Sequence, residues 1–121
     1  MSGDKRSSRL PLILLTGGTG YIGGRLLKAL EASGRPVRCL ARRPEYLQAR
    51  VGPGTEVVAG DCLARATLPS AMAGIHTAYY LVHSIGSAGK FEDQDRTSAQ
   101  NFAEAARETK AQRLIYLGGL G

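Results

Sequence analysis

Tryptophan is absent from this chain, aromatic residues make up only 6% of it, and cysteine occurs just twice in 121 residues. Two cysteines, Cys39 and Cys62, are too few for a disulfide framework. They read as reduced thiols, which fits a cytoplasmic setting. No apolar run approaches the ~18 residues needed to cross a bilayer. The stretch Pro11 to Leu15 follows basic residues, but it is too short for the core of a signal peptide and lacks a small-residue cleavage site. No stripe of Lys and Arg interleaved with aromatics occurs, so nucleic acid is not the expected partner despite a net charge of +6.

What is abundant is glycine, sixteen residues of it, within a chain that is 43% hydrophobic and 21% charged. That balance supports one domain with an apolar core. Residues 1–9 carry Lys5, Arg6 and Arg9 among Ser and Gly and are expected to be a disordered basic tail. Residues 10–121 are expected to form the domain.

The first segment of the domain is a short apolar run, Leu12-Ile13-Leu14-Leu15, which breaks into Thr16-Gly17-Gly18-Thr19-Gly20. A strand buried on both faces looks like this where it enters a tight turn. A helix is predicted over Tyr21 to Ser33, with Ile22, Leu26, Leu27 and Leu30 as its apolar face; Gly34 stops it and Pro36 forbids its resumption. The unit then recurs. Strands are predicted at Val37–Ala41, Glu56–Ala59, Thr77–Val82 and Arg113–Leu117, and helices at Pro44–Arg50, Ala66–Met72 and Glu92–Thr109. The longest helix has Ala99, Phe102, Ala103 and Ala106 as its stripe. Its leading acids Glu92, Asp93 and Asp95 and its closing bases Arg107 and Lys110 suit the helix dipole, so those acids are not read as a metal site. Alternating strand and helix implies an α/β doubly wound parallel sheet of the Rossmann type, with strand order 3-2-1-4-5 and a ligand crevice between strands 1 and 4.

Chemistry concentrates at the first turn. Gly18, Gly20 and Gly23 match G-x-G-x-x-G, and Gly17, Gly20 and Gly23 match G-x-x-G-x-x-G. Either spacing, after an apolar strand and opening a helix, lets backbone N–H groups approach a pyrophosphate at the positive end of a helix. A Walker-type loop is excluded, because Gly23 is followed by Gly24-Arg25 and not by Lys-Ser/Thr. Arg42 stands just past strand 2, with Arg43 beside it, and no acid occurs from Val37 to Pro44. An arginine there accommodates the 2′-phosphate of NADP, where an acid would bind the ribose of NAD. NADP(H) is therefore the expected cofactor, with NAD(H) second.

The segment from Thr16 to Gly23 resembles the nucleotide fingerprint of the short-chain dehydrogenases/reductases, in their extended or atypical form. Gly60-Asp61, the run Gly74 to Val82, and Asn101-Phe102-Ala103-Glu104-Ala105-Ala106 extend the resemblance. Tyr80-Leu81-Val82-His83-Ser84 and Tyr116 to Gly121 narrow it to the NmrA-like branch. The resemblance implies an adenine contact at Asp61, with Cys62 contributing only its backbone. It implies cofactor contacts at Gly17, Thr19, Gly20, Tyr21, Ile22 and Gly23, and at Leu81, Val82 and His83 toward the nicotinamide. It also implies a catalytic serine at the end of strand 5 and a later Tyr-x-x-x-Lys pair. Here strand 5 ends Leu117-Gly118-Gly119, and Tyr116 has no lysine four residues on. No catalytic residue is therefore assigned. The expectation is a truncated NADP(H)-binding domain, lacking the C-terminal substrate region, that self-associates or is of modest stability and by itself turns nothing over, within a reductase of an unknown small molecule. A non-catalytic NADP(H)-binding sensor or subunit is the alternative.

Overall fold

The computed structural model describes residues 11–17, 20–82 and 92–118. Five strands, β1 (Ile13–Thr16), β2 (Val37–Ala41), β3 (Thr55–Ala59), β4 (Thr77–Val82) and β5 (Arg113–Gly118), form one sheet in the order β3-β2-β1-β4-β5. Every pairing is parallel, with Ile13 opposite both Val37 and Thr77. This is the expected Rossmann order.

The helices are α1 (Tyr21–Ala32), α2 (Pro44–Gln48), α3 (Leu68–Met72, entered through a 3₁₀ turn at Arg65–Thr67) and α4 (Glu92–Glu108). The pleat divides each strand between two cores. Ile13, Leu15, Val37, Cys39 and Leu81 meet Leu27, Leu30 and Leu47 of α1 and α2. Leu14, Leu40, Ala78 and Tyr80 meet Leu68, Met72, Phe102 and Ala105 of α3 and α4. Tyr80 and Phe102 lie with ring centroids 4.7 Å apart, a contact contributing about 0.5–1.5 kcal/mol beyond burial.

Several boundaries differ from the sequence reading. Strand β1 begins at Ile13 and reaches Thr16, β3 starts at Thr55, and α2 closes at Gln48. The predicted Ala66–Met72 helix is α-helical only from Leu68, since the chain first makes its 3₁₀ turn. Ile22 is not a core residue but 50% exposed. It sits in the first turn of α1, beside Gly20, so the strands run out before they can cover it.

Off-pattern polar groups tie the layers. Arg38, the second residue of β2, donates from Nη1 to the carbonyls of Ala71 (2.8 Å) and Ala73 (2.9 Å), capping the end of α3, while its Nε pairs with Glu56 at 3.0 Å. Glu31 of α1 accepts from Thr55 Oγ1 at 2.6 Å and from the Gly52 N–H at 2.8 Å, and lies beside Lys28. The Thr55 hydroxyl is the main reason its carboxyl is held below the usual 4.5.

Candidate dinucleotide-binding site

Parallel strands bring their carboxyl ends to one edge, and Gly17, Gly20, Arg42, Arg43, Asp61, Cys62 and Val82 follow or end strands there. At the end of β1, Gly17 takes φ +99°, where side-chain-bearing residues are strained. A Cβ there would overlap the Leu81 carbonyl oxygen of β4 and sit 3.1 Å from Leu81 Cβ. Glycine is thus required twice over, by backbone angle and by the close approach of β1 to β4. The Gly20 N–H donates to the Gly17 carbonyl at 3.1 Å, closing the turn.

Gly20 then caps α1 in an extended conformation, and no side chain among the described residues caps this helix end. No acidic residue occupies its first turn. The N–H groups of Tyr21, Ile22 and Gly23 therefore lack the usual internal acceptors, and the helix dipole adds partial positive charge. Such a helix end could receive an anion, and Gly20 itself puts no side chain in the way of a pyrophosphate. Gly23 is buried, which suits the close helix–strand packing a glycine permits there. At the same helix end, Tyr21 is 75% exposed, and its hydroxyl accepts from Arg25 Nη1 at 2.9 Å.

At the end of β2, Arg42 and Arg43 are both exposed. Arg43 is engaged: its Nη1 donates to the Tyr46 hydroxyl at 3.2 Å, and its guanidinium lies 5.7 Å from that ring's centre. Arg42 makes no hydrogen bond or ion pair among the described residues. Its positive charge opposes the upward push on the Cys62 thiol. Burial and the Asp61 charge carry that thiol to about 11, which leaves it protonated and unreactive near neutrality.

Asp61 is a turn residue in this structure, its Oδ1 accepting from the Leu63 N–H at 2.9 Å. Sequence reasoning missed what holds that turn. Thr67 Oγ1 accepts from the Asp61 N–H at 2.9 Å and reaches the carbonyls of Asp61 and Ala64. Asn101 of α4 donates from Nδ2 to the Cys62 carbonyl at 2.8 Å. The signal available was a poor helix former on the half-buried face of α4. Leu81 is buried, and Val82 ends β4 opposite Gly118. Gly18, Thr19 and His83 lie outside the described residues.

The comparisons with known proteins agree with this geometry. The chain matches a family model described as NAD(P)H-binding over residues 17–121. It is 31% identical over 106 residues to a 4-hydroxy-2-methyl-3-oxo-4-farnesyl-3,4-dihydroquinoline-1-oxide ketoreductase of Stigmatella aurantiaca, covering 85% of this chain and 32% of that protein. Among solved structures, NADPH-dependent quinone oxidoreductase of Escherichia coli, complexed with NADPH, superposes with a TM-score of 0.70 at 25% identity, over 87% of this chain and 35% of that one. Citrobacter triphenylmethane reductase, complexed with NADP(H), gives 0.70 at 23% identity, over 88% and 36%. The chain thus spans about a third of the length of the relatives it matches.

Proposed function

We propose a function from one premise: the chain belongs to the NAD(P)H-binding family, and we read it as one of the extended, NmrA-like short-chain dehydrogenases/reductases. It is an NAD(P)H-binding domain, and in our reading it is the cofactor-holding part of an NADP(H)-dependent reductase acting on a small carbonyl-type substrate. The observation that carries this reading is the β1–α1 turn, where Gly17 is locked against β4 beneath an uncapped helix end.

The N–H groups at the start of α1 would receive the pyrophosphate, with Gly17, Thr19, Gly20 and Gly23 giving it room and Tyr21 and Ile22 beside it. Arg42 would take the 2′-phosphate, with Arg43 adding charge next to it. Asp61 and the Cys62 backbone would meet the adenine. Leu81, Val82 and His83 would line the nicotinamide end of the crevice. The bound cofactor supplies hydride chemistry at a substrate carbon. Gly118 offers no hydroxyl at the end of β5, so the proton for such a reduction would come from a group other than a serine at this position. Similarity to a ketoreductase supports a role in hydride transfer over a non-catalytic sensor. The free thiols of Cys39 and Cys62 suit the cytoplasm, which cell fractionation checks.

Calorimetric titration with NADPH and NADH tests the cofactor reading. Arg42 should favour NADPH by about tenfold, the value of one charge-assisted contact at a partly exposed site. Arg42→Asp should abolish or reverse the preference. Equal affinities in the parent would overturn the 2′-phosphate role, and binding of neither cofactor would overturn the whole reading. Self-association is also proposed, from Leu114 and Tyr116 standing 44% and 59% exposed on the outer strand β5. Sedimentation as a monomer at all concentrations would refute it.

A further inference from the structure

The β3–α3 turn has an unusual distribution of satisfied and unsatisfied groups. Its Asp61 carbonyl accepts from the Ala64 N–H at 2.8 Å and from Thr67 Oγ1. Its Leu63 N–H is held by Asp61 Oδ1, and its Cys62 carbonyl by Asn101 Nδ2. The Cys62 N–H is left without a partner among the described residues. The second carboxylate oxygen of Asp61 likewise takes no hydrogen bond among the described residues. An acceptor oxygen and a free N–H on adjacent residues complement the edge of adenine, whose amino group donates and whose N1 accepts. They oppose the edge of hypoxanthine, whose O6 accepts and whose N1–H donates.

We infer that Asn101 is a positioning residue for base selection. It holds the Cys62–Leu63 peptide from one end while Asp61 Oδ1 holds it from the other, so the direction of the Asp61 carboxylate depends on a side chain in α4, 40 residues further along the chain. Thr67 fixes the neighbouring Asp61–Cys62 peptide and thereby aims the free N–H. The long helix α4 is anchored in the sheet by Phe102 and Ala105, so the amide of Asn101 is presented from a rigid element. The inference rests on the dinucleotide reading proposed above and adds to it a determinant outside the strand ends.

The experiment titrates the full chain with NADPH and with its reduced hypoxanthine counterpart, in the parent, in Asn101→Asp and in Asn101→Ala, with melting temperatures recorded alongside. Asn101→Asp keeps the shape but accepts where Asn101 donates, so it turns the Cys62 carbonyl away. Asn101→Ala removes the donor without adding charge. The parent should prefer the adenine form by at least about tenfold, as expected for a mismatched hydrogen bond to a charged group. Both variants should bring that ratio close to one, mainly through weaker binding of NADPH. A lower melting temperature with an unchanged ratio would reduce Asn101 to a structural tie and overturn the inference. A parent that binds both dinucleotides equally would overturn it too, while leaving the cofactor reading intact. A parent that binds neither would remove both.

Discussion

Replacing Gly17 by alanine probes the tightest point of the site. Two costs act together. At φ +99° an alanine is strained by roughly 1–3 kcal/mol. Its Cβ would also overlap the Leu81 carbonyl oxygen and lie 3.3 Å from the carbonyl carbon. These are backbone atoms of a strand paired to β1 at Thr16–Tyr80, so relief requires the two strands to part. Overpacking of this kind costs about 1–3 kcal/mol more, giving about 2–6 kcal/mol in total. Gly34 supplies a control within the same molecule. It has φ +79°, but nothing lies within 4 Å of where its Cβ would be, so Gly34→Ala should cost only the backbone strain of about 1–2 kcal/mol. With each kcal/mol lowering Tm by about 4–8 °C in a domain near this size, Gly17→Ala should melt at least about 8 °C, and up to about 48 °C, below the parent. Thermal unfolding followed by circular dichroism gives the comparison. If Gly17→Ala melts no lower than Gly34→Ala, the close approach of β1 to β4 is not what makes glycine necessary.

Two further outcomes follow from the polar ties. Arg38→Met should destabilise by about 2–4 kcal/mol, because two carbonyls at the end of α3 lose a charged donor, whereas Glu56→Gln should cost under about 1 kcal/mol because Glu56 is largely exposed; urea unfolding of the two variants would contradict this if they fell equally. Glu31 has its folded pKa depressed below 4.5, chiefly by the Thr55 hydroxyl, so its contribution is present above that value and lost as pH falls below it. The urea midpoint of Glu31→Gln should therefore fall less than that of the parent between pH 7 and pH 3, and parallel declines would count against the network.

The architecture could be read along the chain because its signals are local. Continuous apolar runs marked strands buried on both faces, glycine and proline punctuated them, and the alternation with helices left one sheet order to expect. The β1–α1 turn was legible for the same reason: its strand, glycines and helix are adjacent in sequence. Arg42 was legible because it directly follows a recognisable strand.

The tertiary structure decided everything that depends on which ends of elements meet. It distinguished Gly17 as the glycine pressed onto β4, a contact with Leu81 that spacing alone does not reveal. It moved Ile22 from the core to the surface, because helical periodicity does not say where the sheet stops. It turned Arg38 from a charge interrupting a strand into the cap of α3. It brought Asn101 onto the turn after β3. In the three contacts among these, of Gly17, Arg38 and Asn101, the partner atoms lie more than thirty residues apart, and local pattern carries no information about such pairs until the parallel sheet aligns its strand ends and the crossover helices return over it.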